Sequence, residues 1–198
     1  LAGGSADAAG VLAGLNKLWQ LGLEQSELEN LGAALGSDVP FCLRGGTALA
    51  TGRGELLTSL PDMPECYIVL AKPPFAVSTA WVYQNYRPQQ VLAKPDTAGM
   101  LACLKNQDLY GIAHRLCNVL ESVTIPSHPE IGQLKEYMIQ YGAIASLMSG
   151  SGPTVFGLAG DYRQAGQIAE KLRRHTAARV IITKTVKKVE RENGKATF

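Results

Sequence analysis

Ala145-Ser146-Leu147-Met148-Ser149-Gly150-Ser151-Gly152-Pro153-Thr154-Val155-Phe156-Gly157-Leu158-Ala159 reads as two short apolar strands, 145–148 and 155–159, joined by a glycine-rich turn. It is not a dinucleotide fingerprint. That motif needs a third glycine where Val155 stands and a helix after it. Two readings of the turn stay open from the residues alone: a plain tight hairpin, or a nest of backbone N–H groups able to hold an anion. Outward from it, Glu130–Tyr141 has helical periodicity before the strands and Tyr162–Arg174 has it after them. Arg179–Val186 reads as a final strand. Helix, strand, turn, strand, helix, strand predicts an α+β sandwich with helices on one face of an antiparallel sheet.

At the other end stands Leu1-Ala2-Gly3-Gly4-Ser5-Ala6-Asp7-Ala8-Ala9-Gly10. Small residues leading into a helix let backbone N–H groups approach a phosphate, and the helix dipole adds to the attraction. The alternative is a small-residue helix start that only packs closely. No Gly-Lys-Ser/Thr follows, so it is not a Walker P-loop. Val11, Leu12, Leu15, Leu18 and Trp19 continue the helix, with Ser5 or Asp7 as its expected cap and Gly22 as its expected end. Ser26 with Glu29 reads as a capping box for a second helix, Glu27–Leu35, closed by Gly36.

Gly36-Ser37-Asp38-Val39-Pro40-Phe41 then places a carboxylate where a helix ends and a strand, Phe41–Leu43, is expected. Such an aspartate either caps backbone at a turn or serves as a general base held by rigid neighbours. Thr47–Thr51 and Glu55–Leu60 read as strands across Gly52-Arg53-Gly54, and Tyr67–Ala71 as another. A helix after Ser78 puts Thr79 and Tyr83 on one face, a hydroxyl beside an aromatic ring, or else simply core. Arg87–Asp96 reads as a loop, Ala98–Lys105 and Leu109–Leu120 as helices, Pro126 and Pro129 as punctuation, and Glu190–Phe198 as a polar, frayed tail.

Composition narrows the classes. The 198 residues are 46% hydrophobic and 18% charged, an ordinary globular mixture with enough apolar mass for a core. A net charge of +2 without a clustered basic face argues against nucleic acid, since Lys171–Arg174 and Lys184–Lys188 read as solvated edges. No apolar run approaches the ~20 residues of a membrane span. Leu1 is followed by glycines, so no signal peptide is expected. Cys42, Cys66, Cys103 and Cys117 form no C-x-x-C pair and sit among apolar neighbours, as buried thiols in a reducing compartment do. His114, His128 and His175 are far apart in sequence, and no metal site is expected.

In their joint order, the Leu1–Ala9 stretch, Gly36–Phe41, Gly45-Gly46-Thr47-Ala48 with Gly52-Arg53-Gly54-Glu55, and the Ser-Gly-Ser-Gly-Pro-Thr turn resemble the GHMP kinases. The resemblance runs from Leu1 to about Val186. It implies a two-domain GHMP kinase fold: residues 1–52 as the remainder of an N-terminal ATP-binding α/β domain, and 53–198 as the C-terminal α+β domain. It implies a cytoplasmic ATP-dependent transferase, working with Mg²⁺, that phosphorylates a hydroxyl of a cytidine diphosphate-linked sugar alcohol in isoprenoid (terpenoid) biosynthesis.

Residue by residue, Leu1, Ala2, Gly3, Gly4, Ser5, Ala6 and Asp7 match the later half of the family's phosphate loop, with Ser5 at its hydroxyl position. Asp38 matches the aspartate taken as the base. Thr79 and Tyr83 match positions that hold substrate phosphates and stack on cytosine, and Gly150, Ser151 and Gly152 match the turn that closes over the site. The resemblance also implies a preceding segment that carries the start of the loop, a lysine beside the aspartate and a second aromatic. Without it, residues 1–198 alone are not expected to turn over substrate. Rival readings are a GHMP kinase for mevalonate, homoserine or galactose, and a non-catalytic binding protein of the same fold.

Overall fold

The computed structural model describes residues 1–91 and 94–186, which form two compact units, Leu1–Met63 and Pro64–Thr185. The expected boundary near Arg53 falls inside the first unit, at the tip of a hairpin. The tail Glu190–Phe198 and positions 92 and 93 of the expected loop lie outside the described residues.

The first unit packs three helices, α1 (Gly3–Leu18), α2 (Gln25–Leu35) and α3 (Val39–Arg44), beside a hairpin of β1 (Thr47–Thr51) and β2 (Leu56–Leu60). Its core is small: Ala9, Leu28, Val39 and Leu43, with Leu12, Ala13, Leu23 and Cys42 packed against them. The strand expected at Phe41–Leu43 is instead helix α3. Val39 and Leu43, four apart, bury the same face, and Pro40 sits in the first turn, where its missing N–H costs no helical bond. Six residues are too few to show a helical period in sequence. The capping box of α2 is Glu24 with Glu27, not Ser26 with Glu29, so the helix starts earlier than expected; Gly36 closes it as expected.

Glu29 is instead a buried carboxylate paired with Arg44, whose Nε donates to Glu29 Oε1 at 2.9 Å while Nη1 donates to Leu57 O at 2.6 Å. One guanidinium thus ties α2 and the end of α3 to strand β2. The hairpin pairs Thr47 with Leu60 through Thr51 with Leu56, and Gly52 (φ +69°) and Gly54 (φ +109°) turn it.

The second unit is built on a four-stranded antiparallel sheet in the order β4-β5-β3-β6, with β3 Tyr67–Lys72, β4 Ala145–Met148, β5 Val155–Ala159 and β6 Arg179–Lys184. Helix α8 (Pro129–Gln140) buries Ile131, Leu134 and Met138. Helix α9 (Tyr162–His175) buries Ala165, Ile168, Ala169 and Leu172, all onto Val69, Ala71, Val155 and Ala159 of the sheet. These are helical spacings meeting a two-residue alternation, which is why the sequence predicted an α+β sandwich. Chain order and strand order together make a split βαβ arrangement. Gly157 admits α8: a Cβ there would stand 3.0 Å from Met138 Sδ and 3.2 Å from Ala143 Cβ.

Three shorter helices, α4 (Thr79–Asn85), α5 (Thr97–Lys105) and α6 (Leu109–His114), follow β3, with a single 3₁₀ turn at Pro88–Gln90. The helix expected over 109–120 stops at His114. A further helix, α7 (Glu121–Ser127), begins directly after its expected end. Pro126 is not punctuation but lies in the last turn of α7, where it forfeits only one backbone bond.

Candidate functional site

In the first unit, α1 begins at Gly3 behind Ala2, which adopts a left-handed conformation (φ 47°). No side chain caps the helix, so neither Ser5 nor Asp7 takes the expected capping role. The earliest bond of the turn runs from Ala6 N to Ala2 O at 2.9 Å. The preceding N–H groups have no helical acceptor upstream, as at any helix start, and they lie at the positive end of the dipole. Gly3 and Gly4 are exposed, and a Cβ on either would meet nothing within 4 Å. Neither glycine carries a side chain to shield the backbone there, and Ser5, half-buried, adds a hydroxyl.

Asp38 stands directly before α3, exposed, and its carboxylate caps no N–H of that helix. It is therefore not held in the local backbone role that aspartates usually fill at turns. Burial, and then the Asp38 carboxylate, push the Cys42 thiol above its ordinary range. Ala9 of α1 and Val39, next to Asp38, belong to one apolar cluster. The helix that starts at the glycines and the helix that carries Asp38 are thus packed together.

In the second unit, Ser78 caps α4, its Oγ accepting from Trp81 N at 3.3 Å. Val82 is fully buried and anchors the helix. Thr79 and Tyr83 share a face as expected. Tyr83 is 62% exposed, a ring presented to solvent rather than spent in the core. Thr79 Oγ1 lies 2.8 Å from Ser151 Oγ, which joins α4 to the glycine-rich turn across 72 residues. Within the turn Ser149 N donates to Thr154 O at 2.8 Å and Gly152 N to Ser149 O at 2.9 Å. Gly150 (φ +56°) and Gly152 (φ +86°) take conformations that favour glycine, and a Cβ on Gly152 would come within 2.7 Å of Met148 Sδ.

Three residues that sequence reasoning passed over hold this turn. Asn118 Nδ2 donates to Met148 O and to Gly150 O, both at 2.8 Å. Glu121 accepts from Met148 N at 2.8 Å and is paired with Lys135 at 2.5 Å. Thr124, fully buried, donates to Ser151 O at 3.2 Å. The available signal was the Asn118-x-x-Glu121 spacing, which resembles a helix start. A shallow cavity of about 610 Å³ beside β4, lined by Tyr110, His114, Ile139 and Ser146 among others, contains none of the residues selected from sequence. Among the described residues no group of three His, Cys, Asp or Glu side chains is placed to hold a metal.

The chain matches two family models: the GHMP kinases N terminal domain over residues 1–46 and the GHMP kinases C terminal domain over 100–178. The chain belongs to the GHMP kinase family. It is similar to the 4-diphosphocytidyl-2-C-methyl-D-erythritol kinase of Geobacillus kaustophilus, with 57% identity over 158 residues, 80% of this chain and 54% of the relative. To the enzyme of that name from Listeria monocytogenes serotype 4a it is 51% identical over 173 residues, 87% of this chain and 59% of the relative. The chain thus spans between half and three-fifths of these curated relatives. Among solved structures, a 4-(cytidine 5'-diphospho)-2C-methyl-D-erythritol kinase superposes with a TM-score of 0.77 at 34% identity, covering 94% of this chain and 66% of that one. A homoserine kinase from Cytophaga hutchinsonii shares the fold at TM-score 0.71 and 21% identity, over 88% of this chain and 61% of its own.

Proposed function

We propose that this chain is part of an ATP-dependent kinase that phosphorylates the 2-hydroxyl of 4-diphosphocytidyl-2-C-methyl-D-erythritol, a step of isoprenoid biosynthesis. The observation that carries the reading is identity above half to relatives bearing that name. The geometry supports it in each unit. In the first, the open N-terminus of α1, residues Leu1–Asp7, offers convergent N–H donors to the triphosphate. That suits a transfer in which catalysis is mostly positioning and charge stabilisation. ATP with Mg²⁺, when bound, would supply the phosphoryl group, and the Ser5 hydroxyl would meet a phosphate oxygen or the cation.

Asp38, exposed and free of capping duty, accepts the proton of the acceptor hydroxyl. As that oxygen forms its bond to the γ-phosphorus, the bond to the leaving ADP oxygen breaks. In the second unit, the exposed Tyr83 ring is a platform for cytosine. Thr79, Ser151 and the glycines at 150 and 152 face the diphosphate. No helix among the described residues is long and apolar enough to cross a membrane, and the four cysteines form no disulfide, as suits a reducing cytoplasm.

The test is a kinase assay on the intact protein with ATP and, in parallel, the cytidine substrate, mevalonate, homoserine and galactose. Phosphorylation of the cytidine compound alone is expected. Turnover of one of the other acceptors at a comparable kcat/KM overturns the reading, and so does failure with all of them.

A further inference from the structure

The glycine-rich turn is not held by its own backbone bonds alone. Residues 148, 150 and 151 each have their backbone tied to side chains from a segment 27 to 32 positions earlier: Asn118, Glu121 and Thr124. Asn118 makes the contact with a directional consequence. Its amide nitrogen donates to two carbonyls, Met148 O and Gly150 O, and its Oδ1 accepts from Leu120 N at 3.0 Å. Two acceptors on one side and a donor on the other fix which way the amide faces. Across a trans peptide the C=O and the N–H point to opposite sides. With the Gly150 carbonyl drawn to Asn118, the N–H of Ser151 is turned away from Asn118. Ser151 also carries the hydroxyl that meets Thr79. The neighbouring N–H groups are engaged within the turn, Ser149 with Thr154 O and Gly152 with Ser149 O, which leaves the Gly150–Ser151 peptide as the unit that Asn118 orients.

We infer that Asn118 is a positioning residue: it sets the Gly150–Ser151 peptide so that the Ser151 N–H, beside the Ser151 and Thr79 hydroxyls, meets a phosphate oxygen of a nucleoside diphosphate. The inference rests on the proposed function for the identity of that ligand, not for the geometry. Glu121 and Thr124 fasten the strand end and the far side of the turn, so loss of Asn118 frees this peptide without unfolding the hairpin.

The experiment uses the intact protein with Asn118→Ala and the near-isosteric Asn118→Asp, which sets a carboxylate oxygen against the two carbonyls. Ile131→Val, on α8 in the core, is the control for lost stability. Both Asn118 variants should raise the KM for the cytidine substrate about ten- to hundredfold, the scale of one hydrogen bond to a charged group. KM for ATP should stay within about twofold by the same account. The second readout needs no catalysis: the Ser151 amide resonance should shift on titration with inorganic pyrophosphate in the wild type and fail to shift in Asn118→Ala.

An Ile131→Val protein of equal Tm loss that raises the same KM equally would overturn the inference, since the effect would then be stability alone. A wild-type-like KM in Asn118→Asp, or no Ser151 response to pyrophosphate in the wild type, also overturns it. Should the wild type not phosphorylate the cytidine compound while its Ser151 amide still responds, and Asn118→Ala abolishes the response, the proposed function falls and the positioning role stands.

Discussion

Gly32→Ala and Gly166→Ala make the same chemical change inside two helices, α2 and α9, and their surroundings set opposite signs. Glycine in a helix interior is about 0.8–1.0 kcal/mol worse than alanine. At Gly166 an added Cβ meets nothing within 4 Å, so the propensity gain stands and the second unit should gain close to 1 kcal/mol. At Gly32 the same atom would lie 2.9 Å from Val39 Cγ1 and 3.1 Å from Leu43 Cδ1. Ordinary carbon–carbon contacts are about 3.5–4.0 Å. Val39 is 2% exposed and β-branched on a helix, so it has one good rotamer and no space to leave it.

Overpacking of this kind costs about 1–3 kcal/mol. After the propensity gain, Gly32→Ala should be a net loss of roughly 0–2 kcal/mol in the first unit. Trp19 lies in the first unit and Trp81 in the second, so single-tryptophan variants report each transition separately in urea. Adding Val39→Ala removes the clashing methyl, and Gly32→Ala made on that background should be milder by about 1 kcal/mol. A Gly32→Ala protein stabilised as much as Gly166→Ala, or strict additivity with Val39→Ala, would refute the close packing of α2 on α3.

Three further outcomes concern the site. Asp38→Asn should leave ATP binding nearly intact and lower kcat by about a hundredfold or more, the scale of a lost general base; near-normal kcat removes Asp38 from that role. Tyr83→Ala should weaken the cytidine substrate by about 1–3 kcal/mol, the value of one stacked base, with KM for ATP unchanged; equal effects on both substrates would mean the ring is structural. Cys42 should be alkylated with a pH midpoint above the ordinary thiol value, since burial and the Asp38 charge both disfavour the thiolate. Asp38→Asn removes one of those causes, so the midpoint should fall part of the way back. Mass spectrometry of the Cys42 peptide across pH reads this, and a midpoint that does not move would place the carboxylate away from α3's first turn.

What was legible in the sequence followed the length of the pattern. Strands β4 and β5 and helix α9 lie where the period placed them, because each buries a regular face against the same sheet. Helix α3 was not legible: its six residues hold only the Val39 and Leu43 pair, and Phe41-Cys42-Leu43 looks equally like a strand. Helix α7 was hidden by Pro126, a breaker anywhere but near an end. The glycine turn and Thr79 stand out in the sequence, yet the hydrogen bond between Thr79 and Ser151 does not, nor do the contacts of Asn118, Glu121 and Thr124. Those contacts join residues 27 to 72 positions apart, and nothing in a local window marks them.

Strand β3 is central in its sheet, flanked by β5 and β6, and both partners come late in the chain: Ala71 faces Val155 on one side and Val180 on the other. A nascent chain therefore exposes Tyr67-Ile68-Val69-Leu70-Ala71, apolar and β-prone, long before either neighbour is made. At about 5–20 residues per second the wait for Val155 is roughly 4–17 s, far longer than the ~0.1–1 μs of local helix formation. During that interval the strand's two bare edges are open to pairing with another copy still on its ribosome. Yield of the protein in cells is thus tied to whatever shields one five-residue stretch during synthesis. Slowing translation downstream of Lys72 should raise aggregation without altering a single contact of the finished molecule.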